Sequence, residues 1–378
     1  MIRSIISIFL VLLLLVNTSF ACTISVVSGK ITDTGKPMLF KNRDGSEGNY
    51  EVTKVSKNNK CITKDCYTYM AITKWNETKD NFYVYGGTNE KGFSIINAVI
   101  TRQLPLYAIQ NKNLYLQQLA LETCKDVKDF ENLLENWYRN HKNTTISSYY
   151  GVIDADNNAI LYKVTSSLDR KKLNIERHDV NSIPDGFYSA IATVNGLDIN
   201  NPNKDRIDRI KYIINNIKNN NKLVSVKDLE QISMDVCQDI NKIQSETIDI
   251  NRCINSNKTT WGMVVSEDYI YANLNLPIIG VFVPASLDYI PEVLYYDDMS
   301  GKNVSSNSII KTITDKNKEV AFADDKHLYT DVIKEYLKIQ NNIENDLQRY
   351  IYNTLDIIDN IKRDIESIVN SYLGIGEK

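Results

Sequence analysis

"CTISVVSGKITDTGKPMLFKNRDG", residues 22–45, is the stretch whose reading decides the fold. In "CTISVVSGKIT" (22–32), β-branched and apolar residues alternate with polar ones, the period-two signature of a half-buried strand. "DTGKP" (33–37) carries the Gly and Pro of a turn, and "MLFKNRD" (38–44) reads as a second strand ending at "DG". The pattern recurs in "YTYMAIT" (67–73), in "FYVYGG" (82–87) and, after the turn "TNEKG", in "FSIINAVI" (93–100). Strands joined by such short turns pair antiparallel.

The period then changes. From Asn113 to His141 apolar residues recur at helical spacing. "SSYYGVIDADNNAILYKV" (147–164) is a hairpin turning at "DADNN", and "GFYSAIATVNG" (186–196) is a further strand. Two amphipathic helices follow, "DRIDRIKYIINNIKN" (205–219) and "SVKDLEQISMDVCQDI" (225–240). "TTWGMVVSEDYIYANLN" (259–275) and "IIGVFVPAS" (278–286) restore strand character, and from about His327 onward the chain reads as helix. Strands flanked by separate helices make an α+β fold. The expected organisation is a signal at 1–21, one domain over 22–325, and a helical extension over 326–378 packed on that domain.

With 378 residues, 43% hydrophobic and a net charge of -3, the composition is globular and offers no basic footprint for nucleic acid. Arg3, the 12-residue apolar run Ile5–Val16 and small Ser19 and Ala21 spell a secretory signal cut before Cys22. The run is too short to span a bilayer, which takes about 20 residues, so the expected product is exported, without a transmembrane segment. A lipoprotein cut would also precede a cysteine, but Ser19 and bulky Phe20 fit its pattern poorly; the alternatives to an enzyme are a lipid-anchored surface binding protein with Cys22 lipidated, or an inactive module that keeps a hydrolase's fold. Of the other cysteines, Cys61 with Cys66 and Cys237 with Cys253 suit local bridges, leaving Cys124 as a buried thiol. Metal is not expected: the three histidines (His141, His178, His327) lie far from cysteine pairs and no CxxC occurs.

A cut before Cys22 would leave a thiol and an α-amine on one residue. The thiolate is a strong nucleophile, and an α-amine titrating at about 7.7–8.0 can accept its proton at neutral pH. A β-branched strand is a rigid mount for such a terminus.

The opening block, with Cys22-Thr23 followed some twenty residues later by Asn42-Arg43-Asp44, resembles the amino-terminal-nucleophile hydrolases of the linear-amide group. These include bile salt hydrolases, penicillin V acylases and acyl-coenzyme A:6-aminopenicillanic acid acyltransferase-like proteins. The weaker pieces "GGTNEKGFSIINAV", "ATVNG" and "DRIDRIKY" continue the likeness, which runs to about Pro291. It implies a four-layer αββα sandwich, a secreted enzyme acting on a small acyl amide, and no cofactor or metal. Cys22 would be the nucleophile and Asp44 the carboxylate holding its amine. Asn97 and Asn195 would supply the oxyanion hole, and Arg206, or Arg209 one turn later, would complete the site. Relatives carry an arginine where this chain has Lys41, so whether Lys41 or Arg43 attends the thiol stays open. Trp261 is expected to pack rather than react. The substrate's identity and the oligomeric state are not legible, although the helical tail could help assemble subunits.

Overall fold

Strand β1 (Thr23–Val27) is buried along its whole length and runs antiparallel to β2 (Met38–Asp44), with Ile24 opposite Lys41 and Val26 opposite Leu39. A computed structural model describes residues 22–45, 50–56, 61–76, 81–100, 112–192, 204–233, 235, 254, 259–266, 269–274 and 281–284. The read strand 22–32 stops at Val27, because a 3-10 turn at Gly29–Ile31, capped by the Ser28 hydroxyl, takes the chain out of the sheet.

The remaining strands are β3 (Tyr50–Val55), β4 (Tyr69–Asn76), β5 (Asn81–Asn89), β6 (Ser94–Val99), β7 (Ser147–Ile153), β8 (Ala159–Ser166), β9 (Leu173–Asp179), β10 (Phe187–Ile191), β11 (Thr259–Val265), β12 (Tyr269–Leu274) and β13 (Val281–Pro284). They form two antiparallel sheets, β10-β1-β2-β11-β12-β13 and β3-β4-β5-β6-β7-β8-β9. The second is a meander in chain order, as consecutive hairpins dictate. The segment read as helical from 113 to 141 is three helices, α1 (Asn113–Thr123), α2 (Val127–Glu135) and α3 (Trp137–Asn140). It breaks before α2 because Asp126 turns extended and its carboxylate accepts from Asp129 N at 2.8 Å. Helices α4 (Lys204–Asn219) and α5 (Val226–Ser233) follow.

Three buried clusters order these elements into layers. Ile24, Val26 and Leu39 of the first sheet meet Ile96, Ala98 and Leu161 of the second. The other face of the second sheet, with Ile95, Tyr150 and Val152, packs on Leu116, Leu121 and Phe130 of α1 and α2. The other face of the first, with Val27, Phe40 and Val264, packs on Ile210, Ile214 and Leu229 of α4 and α5. The order is therefore helix, sheet, sheet, helix. Each such aliphatic or aromatic side chain contributes roughly 1.5–3 kcal/mol on burial. Gly151 on β7 lets the sheets close: a Cβ there would sit 2.9 Å from Val26 Cγ2.

Cys61 and Cys66 form the expected disulfide, and Cys124 is a buried free thiol at the end of α1. The Cys237–Cys253 pairing, the signal segment and the extension over 326–378 lie outside the described residues. Among the described residues, no helix is long and apolar enough to cross a membrane.

Candidate active site

Alternation along β2 divides the polar residues of "FKNRD" between two faces. Lys41 and Arg43 share the face of Leu39, toward the second sheet, whereas Asn42 and Asp44 share the face of Phe40, toward the helices. Cys22 sits just before β1, in the phase of Ile24 and Val26, and is 2% exposed within the inter-sheet cluster. Its carbonyl accepts from Ala192 N at 2.8 Å, which continues the β1–β10 ladder and fixes the residue at the end of an interior strand.

The thiol's cation is Arg43. Its Nη1 donates to Cys22 Sγ at 3.2 Å, and its Cζ lies 5.2 Å from the Tyr85 ring centre. Burial opposes the guanidinium's charge, but Cys22, Tyr50 and Tyr85 and the hydrogen bond to the sulfur outweigh it, so Arg43 holds its proton more firmly than an ordinary arginine. Tyr50, Tyr85 and Trp261 stand edge to face around this group, with ring centres 5.4–6.1 Å apart. Trp261 is buried, and its Nε1, like Arg43 Nε, finds no acceptor among the described residues.

Lys41 takes a different path. Its Nζ donates to Tyr85 O at 2.6 Å and to Asn97 Oδ1 at 2.8 Å. Both acceptors exist because β5 and β6 part company there. The β4–β5 register jumps from Thr73↔Val84 to Ile72↔Gly86, leaving Tyr85 as the extra residue of a bulge. Gly86 serves this bulge with φ 153°, and a Cβ on it would meet Met263 Sδ at 3.0 Å. The β5–β6 ladder ends at Gly86↔Ile96, so the next residues, Tyr85 and Asn97, flank an opening that the ammonium fills. Burial brings the Lys41 ammonium from its ordinary 10.5 down to about 7; the Cys22 charge resists this and Arg43 adds to it.

On the other face, Arg206 of α4 donates from Nη1 to Asp44 Oδ2 at 2.6 Å, with both side chains buried. Thr259 donates to Asp44 Oδ1 at 2.8 Å. A bulge in β11 between Thr259 and Trp261 brings Thr259, rather than Thr260, opposite Asp44. Burial pushes the Asp44 carboxyl up, while Arg206 and Thr259 pull it down. Arg206 Nη1 also lies 3.5 Å from Thr23 Oγ1, next to Cys22. Arg209 faces away and pairs with Asp235.

Cys22 thus ends a buried interior strand within helix–sheet–sheet–helix layers. The fold is a four-layer αββα sandwich, as the sequence led one to expect.

No protein-family model matches the chain, and no curated protein matches it. Among solved structures this sandwich is similar to a mutant form of a conjugated bile acid hydrolase from Clostridium perfringens. That match has 13% identity and TM-score 0.45, covering 76% of this chain and 95% of the other. The Caenorhabditis elegans ortholog of N-acylethanolamine-hydrolyzing acid amidase matches with 12% identity and TM-score 0.42, covering 65% and 93%. Penicillin G acylase from Alcaligenes faecalis matches with 8% identity and TM-score 0.34, covering 55% and 51%.

Of the residues singled out in the sequence, the sandwich gathers Cys22, Asp44 and Arg206 at one end of the first sheet. Asn97 joins them through Lys41. Asn195 lies outside the described residues. Sequence reading missed Thr259, Tyr50 and Tyr85; the contacts of Thr259 and Tyr85 arise from two bulges, which the alternating pattern does not announce. The histidines of the described segments stack on aromatic rings away from Cys22, His141 on Trp137 and His178 on Tyr188. Among the described residues, no group of three His, Cys, Asp or Glu could hold a metal ion.

Proposed function

We propose that the chain is a secreted cysteine-dependent hydrolase of linear amides, working through an acyl-thioester on Cys22. The observation that carries this reading is the 3.2 Å contact from Arg43 Nη1 to a buried Cys22 sulfur at the tip of an interior strand. A cationic donor at sulfur favours the thiolate, the form that attacks.

Removal of residues 1–21 frees the Cys22 amine, which accepts the thiol proton. The sulfur bonds to the amide carbon, and the carbonyl oxygen becomes an oxyanion met by the Asn97 amide, with Asn195 as second donor. The amine returns the proton to the leaving nitrogen as the C–N bond breaks. Water then attacks the thioester and releases a carboxylic acid, restoring the thiol. An amine acceptor in place of water would give acyl transfer; for an exported protein, water is the abundant acceptor. Asp44, held by Arg206 and Thr259 beside Thr23, is the carboxylate suited to steady the terminal ammonium. Arg43 Nε and Trp261 Nε1, which have no acceptor among the described residues, suit a substrate that brings acceptor oxygens into the site.

The test is direct. Protein beginning at Cys22 is mixed with a panel of acyl amides and acyl-p-nitroanilides, quenched in acid and digested. The peptide beginning at Cys22 should carry the acyl mass. An adduct elsewhere, or turnover with no adduct on a slow anilide, would overturn the proposal.

A further inference from the structure

We propose that Lys41 is a positioning residue for Asn97: its ammonium takes the amide oxygen and thereby commits Nδ2 to the substrate. This rests on the reading of Asn97 as an oxyanion donor. An asparagine amide carries an acceptor and a donor of nearly the same shape, and only the donor end serves an oxyanion. As an ammonium, Lys41 offers three donors and no acceptor, so the atom it meets at 2.8 Å is Oδ1; as the neutral amine that burial favours above about pH 7, it keeps two donors, one for Tyr85 O and one for Oδ1. A second bond, to Tyr85 O at 2.6 Å, holds the ammonium in the opening between β5 and β6 so that it cannot follow the amide if it turns.

Nδ2 is then the end left to work. Its contact among the described residues is Ser148 Oγ at 3.4 Å, long for a hydrogen bond. That hydroxyl's single proton goes to the carbonyls of Ala98 (2.9 Å) or Tyr149 (3.0 Å), so only its lone pairs face the amide. A weakly used donor beside a strongly used acceptor is the state an oxyanion site requires before substrate arrives. The bulge at Tyr85 explains why the chain tolerates a buried lysine here: it frees a carbonyl from the ladder to receive it.

The test is a double-mutant cycle on the hydrolysis of an acyl amide, using Lys41→Met, Asn97→Ala and the pair. Asn97→Ala should lower kcat about 10²–10³-fold, the effect of one oxyanion donor. Lys41→Met should lower kcat in the same direction with KM little changed, and the double variant should be no slower than Asn97→Ala. Losses that multiply, or a Lys41→Met defect confined to KM, would overturn the proposal. Lys41→Arg keeps the donors and should regain at least about tenfold over Lys41→Met. If Lys41→Met does not fold, Lys41→Arg is compared with Asn97→Ala instead, and equal losses in folded protein would refute the assignment. Cys22→Ala runs in parallel: if it keeps activity, the parent reading falls and takes this one with it, whereas multiplicative losses with an inactive Cys22→Ala sink this one alone.

Discussion

Cys22 and Arg43 continue the β1–β2 register one step beyond Thr23↔Asn42, which puts sulfur and guanidinium on the same face of adjacent strands, 3.2 Å apart. Neighbouring strands supply the contact, so no loop needs to close to form it. Arg43→Met should slow alkylation of Cys22 by iodoacetamide at neutral pH about tenfold, since the thiolate is the reacting form. Cys124 is the internal reference: burial pushes its thiol up to about 12, so it should stay unlabelled in both proteins. Equal labelling of Cys22 in wild type and variant would remove Arg43 as the activating cation.

The Asp44–Arg206 pair ties α4 to the first sheet with both groups buried. Removing one partner strands the other charge, which typically costs about 3–5 kcal/mol. Arg206→Met should therefore lower stability by about that amount in urea unfolding. Arg209→Met breaks a partly exposed pair with Asp235 and should cost about 1 kcal/mol or less. Similar losses for the two variants would mean that Arg206 has no special structural place.

Lys41 makes stability depend on pH. Its value in the fold, about 7, lies below its ordinary 10.5, so between those limits the unfolded chain binds the extra proton. Stability from this group therefore rises with pH across the window, by roughly 1.4 kcal/mol per unit. Cys22, Arg43, Tyr85 and Trp261 face the ammonium and keep their places in the comparison. Urea unfolding at pH 7.5 and 9.5 should show a larger gain for wild type than for Lys41→Met. Parallel gains would mean that the lysine is not desolvated.

Glu122 on α1 is fully buried, and its carboxylate accepts from Ile62 N, Thr63 N and Thr63 Oγ1 at 2.8–3.1 Å, holding the disulfide loop 61–66 against the helix. Glu122→Gln turns an N–H₂ toward those donors, and each buried donor left unmet costs about 1–3 kcal/mol. The variant should unfold earlier and be nicked within residues 61–66 by protease while the disulfide is intact. Wild-type resistance would show that the loop is held by its disulfide alone.

How much of this was legible in the sequence follows burial. "MLFKNRD" gave its strand because alternate residues face two apolar layers. β9 ("LNIERHD") escaped notice because it is a sheet edge with Asn174, Ile175, Glu176 and Arg177 all exposed, so no alternation is imposed on it. β3 ("YEVTKV") was masked by the polar, Gly- and Asn-rich residues around it. The Cys22, Asp44 and Arg206 grouping was accessible through resemblance, whereas the choice of Arg43 over Lys41 as thiol partner needed the β1–β2 register. Lys41's turn toward Asn97 needed the bulge at Tyr85, which depends on how two strands pair rather than on either strand alone.

The most direct test compares hydrolysis of an acyl-amide panel by protein beginning at Cys22 with the same protein carrying Cys22→Ala. Turnover of at least one amide by the first and none by the second is the result expected of a thiol nucleophile at that strand tip. Undiminished turnover by the alanine variant would contradict it.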